Sequence, residues 1–120
     1  MGRMMFVTVV GFAALVGATE SKADPIQGKI VKVDTVQSRH VDSWKFGLRG
    51  TETTRIQLAG DGDTCLELRV FDENGNLVAS DTVGMGDRRG VLVHPKWTGK
   101  FLIQIRNLGH MPNHYVLVLD

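Results

Sequence analysis

The chain has 120 residues, with 14 Lys and Arg against 13 Asp and Glu, for a formal charge of +1. That length holds one domain and excludes a multi-domain enzyme. The near-neutral balance argues against a nucleic-acid binder, which would need a basic patch, and a single Cys excludes both an intramolecular disulfide and a Cys-rich zinc site.

The first 23 residues read as an export signal. Arg3 supplies the positive start, residues 4–18 are uncharged and mostly apolar, and Ser21 and Ala23 are the small residues before a cleavage site. An apolar run of 15 residues is shorter than the roughly 20 that span a bilayer, so cleavage rather than anchoring is expected. With Arg3, Glu20 and Lys22 removed, the 97 residues of 24–120 carry 12 acidic and 12 basic side chains. The expected location is secreted or periplasmic, with no membrane span after cleavage.

Beyond residue 23 no apolar pattern holds a helical period for three turns, and alternation with period two recurs instead. Residues 30–33 (Ile-Val-Lys-Val) form a first short strand. Trp44, Phe46 and Leu48 alternate with Lys45, Gly47 and Arg49, and Trp44 is expected in the core. Thr54, Ile56 and Leu58 alternate with Arg55 and Gln57. Leu66, Leu68 and Val70 alternate with Cys65, Glu67 and Arg69, which puts Cys65 opposite the core face. Brief patterns follow at Leu77 and Val78 and at Val91 and Val93. Phe101, Ile103 and Ile105, then Tyr115, Leu117 and Leu119, complete the set. Turn residues separate the strands, and Asn74-Gly75 is the clearest hairpin signal because both tolerate positive φ. About eight strands with turns every 8–12 residues predict an all-β, antiparallel two-sheet sandwich of jelly-roll type.

The order of motifs resembles the bacterial pre-peptidase C-terminal domain. Leu58-Ala59-Gly60-Asp61-Gly62-Asp63-Thr64 leads into Leu66-Glu67-Leu68-Arg69-Val70-Phe71-Asp72 and the Asn74-Gly75 hairpin. Thr98-Gly99-Lys100-Phe101-Leu102-Ile103 and the closing Tyr115-Val116-Leu117-Val118-Leu119 are similar to the later strands of that family. Asp42-Ser43-Trp44-Lys45-Phe46 is similar to its opening. The resemblance covers roughly residues 41–120. It implies a jelly-roll-like sandwich of the kind found at the end of secreted peptidases and other exported enzymes. Some members bind collagen or polysaccharide, and some bind calcium. Cys65 stands where the family often has Asp, and Glu67 replaces the next Asp.

Calcium takes six to eight oxygen ligands. Asp61, Asp63, Glu67 and Asp87 are the candidate set, supported chiefly by the resemblance. Asp72, Asn74 and Asn76 imitate the start of a calcium loop, but Leu77 occupies the place that needs glycine, so a polar hairpin turn explains them. His40, His94, His110 and His114 are expected as exposed loop residues, since the four-residue spacing of His110 and His114 aligns side chains only on a helix. Trp97, in a turn, either stacks on a sugar ring or grips a partner, or else covers the end of the sandwich. Cys65 is an odd thiol in an exported chain: covered and inert in a monomer, or the bridge of a Cys65-linked dimer.

No nucleophile elbow, Cys–His arrangement or zinc-protease motif is present, so no enzyme is expected. The first functional reading is an exported binding or adhesion module for a protein or polysaccharide. The second is a structural or accessory domain, calcium-stabilised. The weakest is a small hydrolase.

Overall fold

The computed structural model describes residues 28–82 and 86–120; the expected export signal lies outside them. Among the described residues there is no helix. Eight strands run in chain order as β1 (Ile30–Val36), β2 (Val41–Leu48), β3 (Thr54–Ala59), β4 (Leu66–Phe71), β5 (Leu77–Asp81), β6 (Arg88–Val93), β7 (Gly99–Asn107) and β8 (Asn113–Leu119). Each expected strand is present. Several extend past their apolar residues, because strand pairing continues through polar positions that alternation alone does not mark.

Two four-stranded antiparallel sheets result. The back sheet has the order β1-β8-β3-β6 and the front sheet β2-β7-β4-β5. First pairs with last, second with seventh, third with sixth and fourth with fifth. The chain is thus one long antiparallel ribbon folded over itself, which is the jelly-roll arrangement. Loops at one end join β1 to β2, β3 to β4, β5 to β6 and β7 to β8. The other end carries the β2–β3, β4–β5 and β6–β7 loops.

Alternation sets the core because successive side chains leave a strand on opposite faces. Ile56 and Leu58 from the back sheet meet Leu66, Leu68, Val70, Ile103 and Ile105 from the front sheet, with Tyr115, Leu117 and Leu119 beside them, all within 2% of full burial. Trp44 and Phe46 are only half-buried and pack against the margin of this core, their rings stacked with centroids 6.3 Å apart. The reason is position: β2 is an edge strand.

The β1 strand reverses the simple expectation. Val31 and Val33 point outward and are 52% and 69% exposed. Lys32 takes the inward parity and lays its ammonium over the Trp44 ring, 5.9 Å from the centroid. The aliphatic stem covers the core margin while the charge stays near water.

Tyr115 ties the two sheets together at this margin. Its hydroxyl donates to Asp42 Oδ2 at 2.8 Å and accepts from Trp44 Nε1 at 2.9 Å. Burial pushes its ionisation well above the usual tyrosine range, and the hydrogen bond to Asp42 adds to the rise. Tyr115→Phe removes one partner from each bond and is expected to cost about 1–3 kcal/mol. Urea denaturation of the two proteins, with unchanged slope and a lower midpoint for the variant, checks this.

Candidate functional site

Three places carry chemistry: the β3–β4 loop end, the junction of Arg89 with Cys65, and the outer face of the front sheet.

The loop end is built around Asn113, the first residue of β8. Its side chain is fully buried. Its Oδ1 accepts the Asp61 amide at 3.0 Å, and its Nδ2 donates to Thr64 Oγ1 at 3.1 Å and to Asp87 Oδ2 at 3.3 Å. Asp87 Oδ2 also accepts the Gly62 amide at 2.5 Å, while its backbone carbonyl accepts the Gly60 amide at 2.9 Å. Asp61 returns to β8: Oδ2 accepts the His114 amide and Oδ1 the Asp63 amide, both at 3.0 Å. Gly60 is required by this closeness, since a Cβ there would meet the Asp87 carboxylate and the Asn113 carbonyl oxygen.

Of the four candidate calcium ligands, Asp61 and Asp87 are therefore brought into one knot. Asp63 enters it through its backbone amide. Glu67 stands on the outer face of the front sheet between Arg69 and Arg106, at 4.0 and 3.9 Å. Among the described residues no group of three or more His, Cys, Asp and Glu is placed to hold a metal ion. The oxygens of Asp61 and Asp87 accept the amides of Gly62 and Asp63 in the loop and of His114 at the start of β8.

The His114 amide, first, and the Asp63 amide hold the Asp61 carboxyl below its ordinary 3.8. Asp72 is also held low, first by the Asn76 amide, inside the expected hairpin turn. That turn places Gly75 at φ 86°. Sequence reading passed over Asn113 because a lone Asn before a strand looks like an ordinary loop residue.

Arg89 is the second omission. Parity puts it on the inward side with Val91 and Val93, and it is 8% exposed. It crosses from β6 to the front sheet, where Nε donates to the Leu66 carbonyl at 2.7 Å and Nη1 pairs with Asp81 Oδ1 at 3.4 Å. Its Nη2 lies 3.7 Å from the Cys65 sulfur. Cys65 is half-buried at this junction, and nothing in its position supports a Cys65-linked dimer.

The outer face of the front sheet is uncovered by any other described element. Near its β2–β3 end a shallow depression of about 370 Å³ has Phe71 and Leu102 among its lining, with Lys45, Lys100, Glu73 and Gln104 around them. The strand registers Lys45↔Leu102 and Phe71↔Leu102 set these side chains in one row across three strands. Ser43↔Gln104 and Gln104↔Arg69 give the next row, and Glu67 and Arg106 the third. One Glu67 oxygen is out of contact with water and makes no hydrogen bond.

Trp97 is 70% exposed, so it does not cover the end of the sandwich. Its loop runs into Gly99 and Lys100, and the Lys100 amide donates to Glu73 Oε1 at 3.2 Å. Trp97 thus sits at the same end as the depression and at the opposite end from Asp61 and Asp87. The four histidines are exposed. His110 meets Arg39 and His114 meets Thr35, so the two stand apart rather than sharing a ligand. His114 lies in β8 rather than in a loop.

With the geometry described, comparison with solved structures decides the fold type. The chain superposes on the pre-peptidase C-terminal domain of a collagenase from Bacillus anthracis with a TM-score of 0.62 and a match probability of 1.00. The match covers 87% of this chain and 100% of that one, with 14% identical residues. The fold is that of a pre-peptidase C-terminal domain. No protein-family model and no curated protein sequence matches the chain. In this pre-peptidase C-terminal fold, the sequence resemblance and the observed strand order agree. No helix among the described residues is long and apolar enough to cross a membrane.

Two outcomes follow for the knot. Asn113→Ala leaves the Asp61 amide and the Thr64 and Asp87 oxygens without their buried partner, and is expected to cost about 2–4 kcal/mol by chemical denaturation. The second concerns acid. Because folding lowers the Asp61 value, the unfolded chain takes up its proton first. The stability from Asp61 is complete above the ordinary value of 3.8 and is lost as pH falls through the lower folded value. Asp61→Asn is therefore expected to give a protein less stable at neutral pH, with a shallower loss of stability between roughly pH 5 and 3. Thermal melts across that range check the slope.

Proposed function

We propose that this chain is an exported, non-catalytic binding module that holds a protein or polysaccharide on the outer face of its front sheet. The observation that carries the reading is the uncovered depression. Apolar surface at Phe71 and Leu102 lies beside Lys45, Lys100 and Glu73, which offers hydrophobic contact and hydrogen bonding in one place. Trp97, exposed at the same end, adds an aromatic face to the same approach. The fold supports the reading because one solved structure that shares it is a domain of a collagenase. The export signal read in residues 1–23 supports an extracytoplasmic location. Among the candidate carboxylates, Asp61 and Asp87 are engaged by amides and Glu67 by two arginines, which favours a binding role over hydrolysis.

Fibrillar collagen and chitin are the probes. The purified protein is expected to be retained on one of them, and Phe71→Ala with Leu102→Ala to weaken retention about ten-fold or more, at a temperature where circular dichroism shows the variant folded. No retention on either polymer, or retention indifferent to the double variant, contradicts the reading. The accessory alternative, with calcium at Asp61, Asp63, Glu67 and Asp87, is separated by the same samples. It requires a melting temperature that rises with millimolar calcium and falls with chelator.

A further inference from the structure

We infer that β1 is a pairing edge for a second copy of this chain, the two β1 strands running antiparallel about Val33 to join the back sheets. Among the described residues no strand pairs with the outer edge of β1, which closes the sheet on that side. The strand is seven residues long, contains neither Pro nor Gly, and pairs with β8 without a bulge. Its outward N–H and C=O groups are open to another strand, while the inward Lys32 and Asp34 disfavour any partner that does not set opposite charges against them.

The direction of its backbone groups fixes the register. Along an antiparallel strand, alternate residues present both N–H and C=O to the same neighbour. The Arg55 and Asp120 amides and carbonyls bond each other across β3 and the end of β8, at 2.9 and 2.8 Å. In the β3·β8 register Gln57 then faces Val118, so the even residues of β8 turn toward β3 and the odd ones toward β1. Tyr115 and Leu117 thus bond Asp34 and Lys32. That leaves Val31, Val33 and Thr35 with their backbone groups aimed outward. The Thr35 amide agrees: it takes the Asp34 carboxylate at 2.7 Å rather than a β8 carbonyl. The Asp34 side chain satisfies an edge amide for which no strand is at hand.

A two-fold axis at Val33 matches these groups. Val33 faces Val33 of the second copy and Val31 faces Thr35, whose amide exchanges the Asp34 carboxylate for the Val31 carbonyl of the second copy and so frees that carboxylate. Lys32 then lies opposite Asp34 of the second copy in the non-hydrogen-bonded positions, where side chains approach closest. Both have the inward parity, so two opposite-charge pairs form at the margin beside Trp44. The strand sequence Ile-Val-Lys-Val-Asp-Thr-Val is complementary to itself in charge when reversed about its centre. Val31 and Val33, now 52% and 69% exposed, come together on the outer face. This pairing is independent of the front-sheet site.

Sedimentation velocity of the purified protein in reducing buffer, over a range of concentrations, tests the inference. A reversible monomer–dimer equilibrium is expected. Val33→Pro, which deletes an outward N–H that the monomer does not use, is expected to weaken it at least ten-fold. Lys32→Asp and Asp34→Lys are each expected to weaken it by placing like charges opposite, and the double swap K32D/D34K to restore it. Far-UV circular dichroism confirms that each variant is folded. A protein monomeric at about 1 mM overturns the inference. So does a dimer indifferent to Val33→Pro, or a double swap that fails to restore association.

Discussion

The buried amide of Asn113 is the constraint on which the loop end of this sandwich depends. Among the described residues, eight short strands with no helix must return the chain at each end through segments that lack ladder partners. At the β3–β4 end the solution is one fully buried side chain whose acceptor and donor both hold the β3–β4 loop, at Asp61 and Thr64, while the donor also reaches Asp87 in the loop before β6. Asp61 and Asp87 then accept the amides that Asn113 does not reach. Gly60 supplies the space, because any side chain there would displace the Asp87 carboxylate. Two of the aspartates that look most like chemistry in the sequence, Asp61 and Asp87, thus accept backbone amides at this end.

This division of labour leaves the broad faces for function. On the front sheet, Phe71 and Leu102 are held by three paired strands, so the depression belongs to the rigid part of the molecule rather than to its loops. On the back sheet the exposed valines of β1 lie at an open edge instead of over a depression. The proposed recognition face and the proposed pairing edge are physically separate, and occupation of one does not require the other.

Much of the fold was legible in the sequence because a two-sided sheet imposes period two, and the alternations of Leu66, Leu68 and Val70 or Phe101, Ile103 and Ile105 have few other solutions. The limits of that reading lie at edges. A central strand has both faces defined, whereas β1 buries its Lys32 stem and exposes Val31 and Val33, since an edge residue can cover the core and still reach water. Arg89 is hidden for a related reason: parity places it inward, but only the approach of β4 and β5 to β6 gives its guanidinium partners. Asn113 needed two loops from distant parts of the chain, and no local pattern announces it. Trp97 was legible as a turn residue, while its exposure depends on the path of the β6–β7 loop.

The central claim is that the β3–β4 end is a locked structural knot rather than an adaptable ligand loop. Native-state hydrogen exchange of the Gly62 and His114 amides tests it most directly, because each donates to an aspartate in the knot rather than to a strand. The account predicts that both exchange slowly, at rates approaching those of core amides such as Leu68 and Ile103, and that Asn113→Ala releases them together. Exchange at the rate of an open loop in the unaltered protein would contradict it.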